Sequence, residues 1–228
     1  GLYRTSLKGL TPERAMETVF SGNPWTTSFT EDSFGNIWIG TYRNGTFCFH
    51  KNQTPFQKSM SGKNIECMST DHSGNYWIGS LNGEVCVLDS TQKQIMGKTI
   101  FPNDMIHTIC GQESSNKVWV GTMYGLYEAW IESNKQIVYQ KTSGINIPSI
   151  RSIVQDSCFL WIASYNNGVT LYNYSTQQSV VTYKTDSEVL PLPSNTIRTI
   201  LKDRENNLWV GTAEGLVVLN GKERFTSS

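Results

Sequence analysis

The sequence has no surplus of charge, since 19 Lys and Arg face 19 Asp and Glu for a formal net charge of zero. Without a basic field to concentrate on polyanions, neither nucleic acid nor an anionic membrane is expected as a partner. Long hydrophobic runs are missing too. No stretch approaches the roughly 20 apolar residues of a membrane-crossing helix, and no charged-then-apolar leader opens the chain, so no direct membrane contact is expected of these residues. Cysteine is sparse and odd in number. Cys48, Cys67, Cys86, Cys110 and Cys158 include no C-x-x-C pair, which argues against a zinc site or a disulfide scaffold. Cys48 and Cys86 sit in "GTFCFH" and "GEVCVL", where a small apolar side chain packs, so the thiols read as inert core residues. There are only three histidines, and G-x-S-x-G, H-E-x-x-H and phosphate-cradling glycine loops are all absent.

What is present is one phrase, five times: "DSFGNIWIGTYRNG" from Asp32, "DHSGNYWIGSLNG" from Asp71, "ESSNKVWVGTMYG" from Glu113, "DSCFLWIASYNNG" from Asp156 and "DRENNLWVGTAEG" from Asp203. Its tryptophans, Trp38, Trp77, Trp119, Trp161 and Trp209, are separated by 39, 42, 42 and 48 residues. A period of this size marks a repeat architecture. Upstream of each Trp lies a β-type run, "TTSFTE", "IECMST", "IHTICG", "IRSIVQ" or "IRTILK". The acid before the Trp is expected to open a turn by bonding its own backbone. The Trp strand ends on a small residue (Gly40, Gly79, Gly121, Ala163, Gly211), as expected where sheets approach closely. A second glycine then turns the chain into a third strand, and a weaker fourth follows.

A four-stranded meander of this kind is apolar on both faces, and stacking meanders radially buries those faces against each other. The expected fold is therefore all-β: a β-propeller of four-stranded antiparallel blades. About five and a half blades are expected in a single propeller segment over 1–228, namely a half-blade over 1–20 and blades over about 25–60, 64–98, 105–141, 149–184 and 196–227. Because "GLYRTS" reads as an orphan third strand, the segment is expected to be cut from a larger propeller. "TPERAME" is the only helix expected, with Thr11 as cap and Pro12 at its first position.

The repeated Asp residues invite a calcium or general-acid reading, but one per blade would be spread around a ring, so they read as turn caps. His50, His72 and His107 fall in different layers of different blades, which disfavours a histidine-based lyase site; His107 is its one inward-facing candidate. No catalytic residue, cofactor or metal is expected. The turns between the second and third strands, and the connections between blades, share one edge of the fold. They gather Tyr42, Tyr124 and Tyr165, the amides Asn82 and Asn166, and the opposite charges Arg43 and Glu214, with Trp25 joining from a connection. Flat aromatics beside amides suit sugar rings, which offer a C–H face and a hydroxyl edge; such residues also simply favour exposed turns.

The motif D-x-x-G-N-x-W-[IV]-G-T-x-x-G-[LV], clearest at "DSFGNIWIGT" and "NNLWVGTAEGL", resembles the two-component regulator propeller repeat of periplasmic sensor regions in hybrid histidine kinases of Bacteroidetes. The resemblance covers nearly the whole chain. It implies a seven-bladed propeller that senses oligosaccharide outside the inner membrane and signals to a cytoplasmic kinase; with no catalytic motif among the residues, the chain is not expected to be an enzyme. The implied partners are the rest of a parent sensor kinase and, through paired sensor protomers, a homodimer. Two other readings stand beside it: a purely structural or protein-docking propeller, and a propeller lyase.

Overall fold

The computed structural model describes residues 3–4, 17–18, 25–31, 36–42, 45–49, 57–59, 63–89, 91, 93–188 and 190–219. Every regular element among them is a β-strand. "TPERAME" lies outside the described residues except for Glu17, which is in a strand; Gly1, Asp32, Arg43, His50 and the fourth strand expected near residue 224 also lie outside them.

Contacts divide the chain into two compact units, 1–66 and 67–228. In the first, β1 (Tyr3–Arg4) pairs with β2 (Glu17–Thr18), and β3 (Thr26–Glu31), β4 (Ile37–Thr41), β5 (Gly45–Phe49) and β6 (Gln57–Ser59) form an antiparallel meander in chain order. The second unit holds the other four sheets, its boundary falling inside β7. These are β7 (Ile65–Thr70) to β10 (Gln94–Thr99) through β8 (Tyr76–Ser80) and β9 (Glu84–Leu88); β11 (Ile106–Gly111), β12 (Lys117–Thr122), β13 (Leu126–Ile131) and β14 (Ile137–Lys141); β15 (Ile150–Asp156), β16 (Phe159–Ser164), β17 (Gly168–Asn173) and β18 (Gln178–Tyr183); and β19 (Ile197–Lys202), β20 (Leu208–Thr212) and β21 (Gly215–Leu219). Five blades of three or four described strands thus follow one another, and the first strand of each starts within a residue of its expected position.

In the second unit three of the repeat tryptophans are buried against the next blade. Trp77 packs with Ile106 and Ile109 of β11, Trp119 with Ile150 and Ile153 of β15, and Trp161 with Ile197 and Ile200 of β19. The small residue two positions after each Trp makes that approach possible. A methyl group on Gly121 would sit 2.5 Å from Ile150 Cγ2, and one on Gly79 would sit 2.7 Å from Ile106 Cγ2, both inside contact distance. Trp209, in the last blade, is 37% exposed.

The acid of the repeat does three different things. Asp71 and Asp203 cap their turns as expected and also reach the Trp: Asp71 Oδ2 accepts from Trp77 Nε1 at 2.9 Å, and Asp203 Oδ2 from Trp209 Nε1 at 2.8 Å. These hydrogen bonds to the carboxylate, with those from Asn207, hold Asp203 down to a pKa of about 2. In the third copy the turn instead closes between Gln112 N and Lys117 O, so Glu113 lies inside a longer loop and buried Trp119 Nε1 has no hydrogen-bond partner. In the fourth, Asp156 is the last residue of β15, paired with Phe159 across a two-residue hairpin. Its carboxylate meets Lys202 Nζ at 2.6 Å in the next blade.

Candidate functional site

In four blades the turn after the second strand is tied by a backbone hydrogen bond to the residue that precedes the first strand of the same blade. In the first unit Tyr42 N donates to Trp25 O at 2.8 Å; in the second, Met123 N donates to Met105 O, Tyr165 N to Ser149 O and Ala213 N to Thr196 O, at 3.1, 2.9 and 2.9 Å. Further bonds run from one blade to the next: Ser149 N to Met123 O at 2.8 Å and Gly168 N to Asn195 O at 3.0 Å. Within the second unit the turns and connections therefore share an edge, and its backbone is fixed by these bonds.

In the first unit Trp25, 75% exposed, stacks on Tyr42 with ring centroids 6.0 Å apart. In the second unit Tyr124 is 58% exposed and Tyr165 37%. The amides are engaged in their turns. Asn82 Oδ1 accepts from Ser80 Oγ, and Asn166, at φ 73°, accepts at Oδ1 from Thr196 Oγ1 at 2.7 Å. Glu214 is exposed, its backbone N–H bonded to Thr212 Oγ1 at 3.1 Å. Arg43 lies outside the described residues.

The structure adds residues at this edge that the sequence reading passed over. The register of the first strand slips once in four blades, and each slip falls on the strand's second residue: Thr27, His107, Arg151 and Arg198 have no partner across the ladder. A bulge of this kind re-aims its side chain. In the second unit it brings Arg151 and Arg198, from adjacent blades, to one tyrosine: their guanidinium carbons lie 5.3 and 5.6 Å from the centroid of the Tyr165 ring. Arg151 Nη1 also lies 3.2 Å from His107 Nδ1. A guanidinium can only donate, so Nδ1 accepts and the imidazole is neutral. One signal was available in the sequence: comparing copies within the chain, the residue after the leading Ile is Glu66, His107, Arg151 or Arg198, charged or polar in a run that is otherwise repetitive.

Burial and the Arg151 charge push the His107 pKa down to about 4 from its ordinary 6.5, against a smaller pull upward from Asp104. Between those values the unfolded chain binds a proton that the folded chain does not, so stability falls as pH drops from 6.5 to 4 and levels off below. With partial solvent screening the expected loss is on the order of 1–2 kcal/mol. Urea unfolding at pH 4.5 and pH 7 should show this difference shrinking in His107→Gln.

Among the described residues no group of three or more His, Cys, Asp or Glu could hold a metal ion, and all five cysteines are free thiols. No helix among them is long and apolar enough to cross a membrane.

Residues 20–43 and 191–214 match the two component regulator propeller family. Among solved structures, the chain resembles the extracellular domain of a hybrid two component system from B. thetaiotaomicron, at 25% identity and a TM-score of 0.71 over 92% of this chain and 28% of that one. It also shares its fold with PorZ, a surface component of the type-IX secretion system of Porphyromonas gingivalis (15% identity, TM-score 0.69, 93% of this chain, 34% of that one), and with an auxiliary nutrient binding protein from Bacteroides thetaiotaomicron (14%, 0.67, 89% and 61%). The chain thus spans about a third or less of the first two structures. No curated protein matches the sequence. Repeat phrase, blade structure and family match agree: the chain is built of β-propeller blades, and two stretches of it match the two-component regulator propeller repeat.

Proposed function

We propose that the chain is a non-enzymatic, extracytoplasmic sensor propeller of a hybrid two-component signalling protein, which recognises oligosaccharide and passes the signal to a kinase outside these residues. The observation that carries this reading is the edge itself. Tyr124 and Tyr165 are exposed there while their backbone is pinned, so rings are presented with little conformational entropy left to lose on binding. The similarity to an extracellular two-component domain supports the location and the class of output. Ligand binding would act by favouring one blade packing, or one pairing of sensor protomers, over another, which requires different affinities for the two states.

Titration calorimetry against a panel of neutral and acidic oligosaccharides is expected to show saturable binding, weakened roughly tenfold or more by Tyr124→Ala or Tyr165→Ala. A panel that produces neither heat nor a thermal shift overturns the reading. One observation favours a second reading, a docking propeller without a small ligand: Leu201, Trp209, Leu216 and Val218 on β19–β21 are all exposed. It predicts no glycan binding and instead a partner protein that protects those side chains from solvent.

A further inference from the structure

Two arginines beside one tyrosine need an explanation, because like charges repel and nothing described neutralises them. The ion pairs Lys117–Glu128 and Lys202–Asp156 include neither Arg151 nor Arg198. The nearest help for Arg151 is His107, which is neutral and takes one N–H. The Asp104 carboxylate accepts the backbone N–H groups of Met105 and Met123, at 2.7 and 3.0 Å. Arg151 Nε is buried and has no hydrogen-bond partner, and a buried donor left unmade is costly. Two adjacent blades thus use a backbone irregularity to direct uncompensated cations to the edge that carries the exposed aromatics.

Both guanidinium carbons lie over the Tyr165 ring, at 5.3 and 5.6 Å from its centroid. A guanidinium lying against a ring uses its face and keeps its N–H groups, which lie in its plane, available for a planar or tetrahedral oxyanion. We infer that Arg151, Arg198 and Tyr165 form a clamp for an oxyanion-bearing sugar, in which a uronate carboxylate or a sulfate ester accepts from the two guanidinium groups and the sugar ring lies along the aromatic edge. This rests on the sensing reading above and narrows its ligand to an anionic glycan. The selectivity is local, since the chain as a whole has no net charge.

The test is calorimetric titration of the protein with three probes: galacturonate oligomers of three to six residues, neutral galactose oligomers of the same lengths and linkage, and a sulfated disaccharide. Either acidic probe is expected to bind roughly tenfold or more tightly than the neutral one, with an affinity that falls as salt is raised. Arg198→Gln should remove that preference while leaving the unfolding midpoint unchanged, because Arg198 is exposed. Arg198→Lys, which keeps the charge but not the fork, should fall between. The uronate and sulfate arms identify which oxyanion is taken. Equal binding of acidic and neutral oligomers, or an acidic preference that survives both Arg151→Gln and Arg198→Gln, overturns the clamp but leaves glycan sensing standing. Failure of all three probes overturns both.

Discussion

Trp77→Ala lowers the unfolding free energy by about 3–5 kcal/mol, the range for deleting a large buried aromatic side chain. Trp77 is 0% exposed, and its indole fills the space between its own sheet and β11, against Ile106 and Ile109. Removing it withdraws roughly 150–250 Å² of buried surface and leaves a void that cannot collapse, since both flanking sheets are held by their own ladders. Trp209→Ala should cost far less, because that ring is 37% exposed. In thermal unfolding of a chain this size the midpoint should fall by about 10 °C or more for Trp77→Ala. Equal losses for the two variants would mean that burial between blades is not what the tryptophans contribute.

Asp71→Ala is expected to cost about 2–4 kcal/mol, whereas Asp156→Ala costs about 1 kcal/mol or less, although both acids hold the same place in the repeat phrase. Asp71 is buried and accepts from Asn75 N, Asn75 Nδ2 and Trp77 Nε1 at 3.0, 2.9 and 2.9 Å. Its removal strands a buried indole donor as well as opening the turn. Asp156 makes a partly exposed ion pair with Lys202, and its hairpin closes through backbone pairing with Phe159. Chemical denaturation of both variants decides the matter, and comparable destabilisation would contradict the structure. Asp71→Asn should fall between wild type and Asp71→Ala, since an amide oxygen still accepts one of these bonds.

The strands were legible because two signals coincide in each copy, a period-2 apolar run and a Trp followed by a small residue. That is why "TTSFTE", "IECMST", "IHTICG" and "IRTILK" are each a whole strand. Loop closure was less legible. The acid keeps a near-constant offset from the Trp, yet Gln112 closes the third turn, and Ser157, at φ 57°, tightens the fourth into a hairpin. A difference of one residue between two turn types leaves little trace in composition. The aromatic edge followed from topology alone, since Tyr124 and Tyr165 occupy turns whose position is set by the strand order. Arg151 and Arg198 were missed because regular alternation puts consecutive residues on opposite faces, and a register slip cancels that rule with no mark inside a single copy beyond a charged or polar residue after the leading Ile.

That slip has an evolutionary corollary. Where the main chain dictates the heading of a side chain, its identity can vary: threonine, histidine and arginine already occupy the slipped position at Thr27, His107, Arg151 and Arg198. Chemistry at these positions can be exchanged one module at a time while the architecture beneath stays untouched, so such a gene can vary what its blades present without first relearning how to fold.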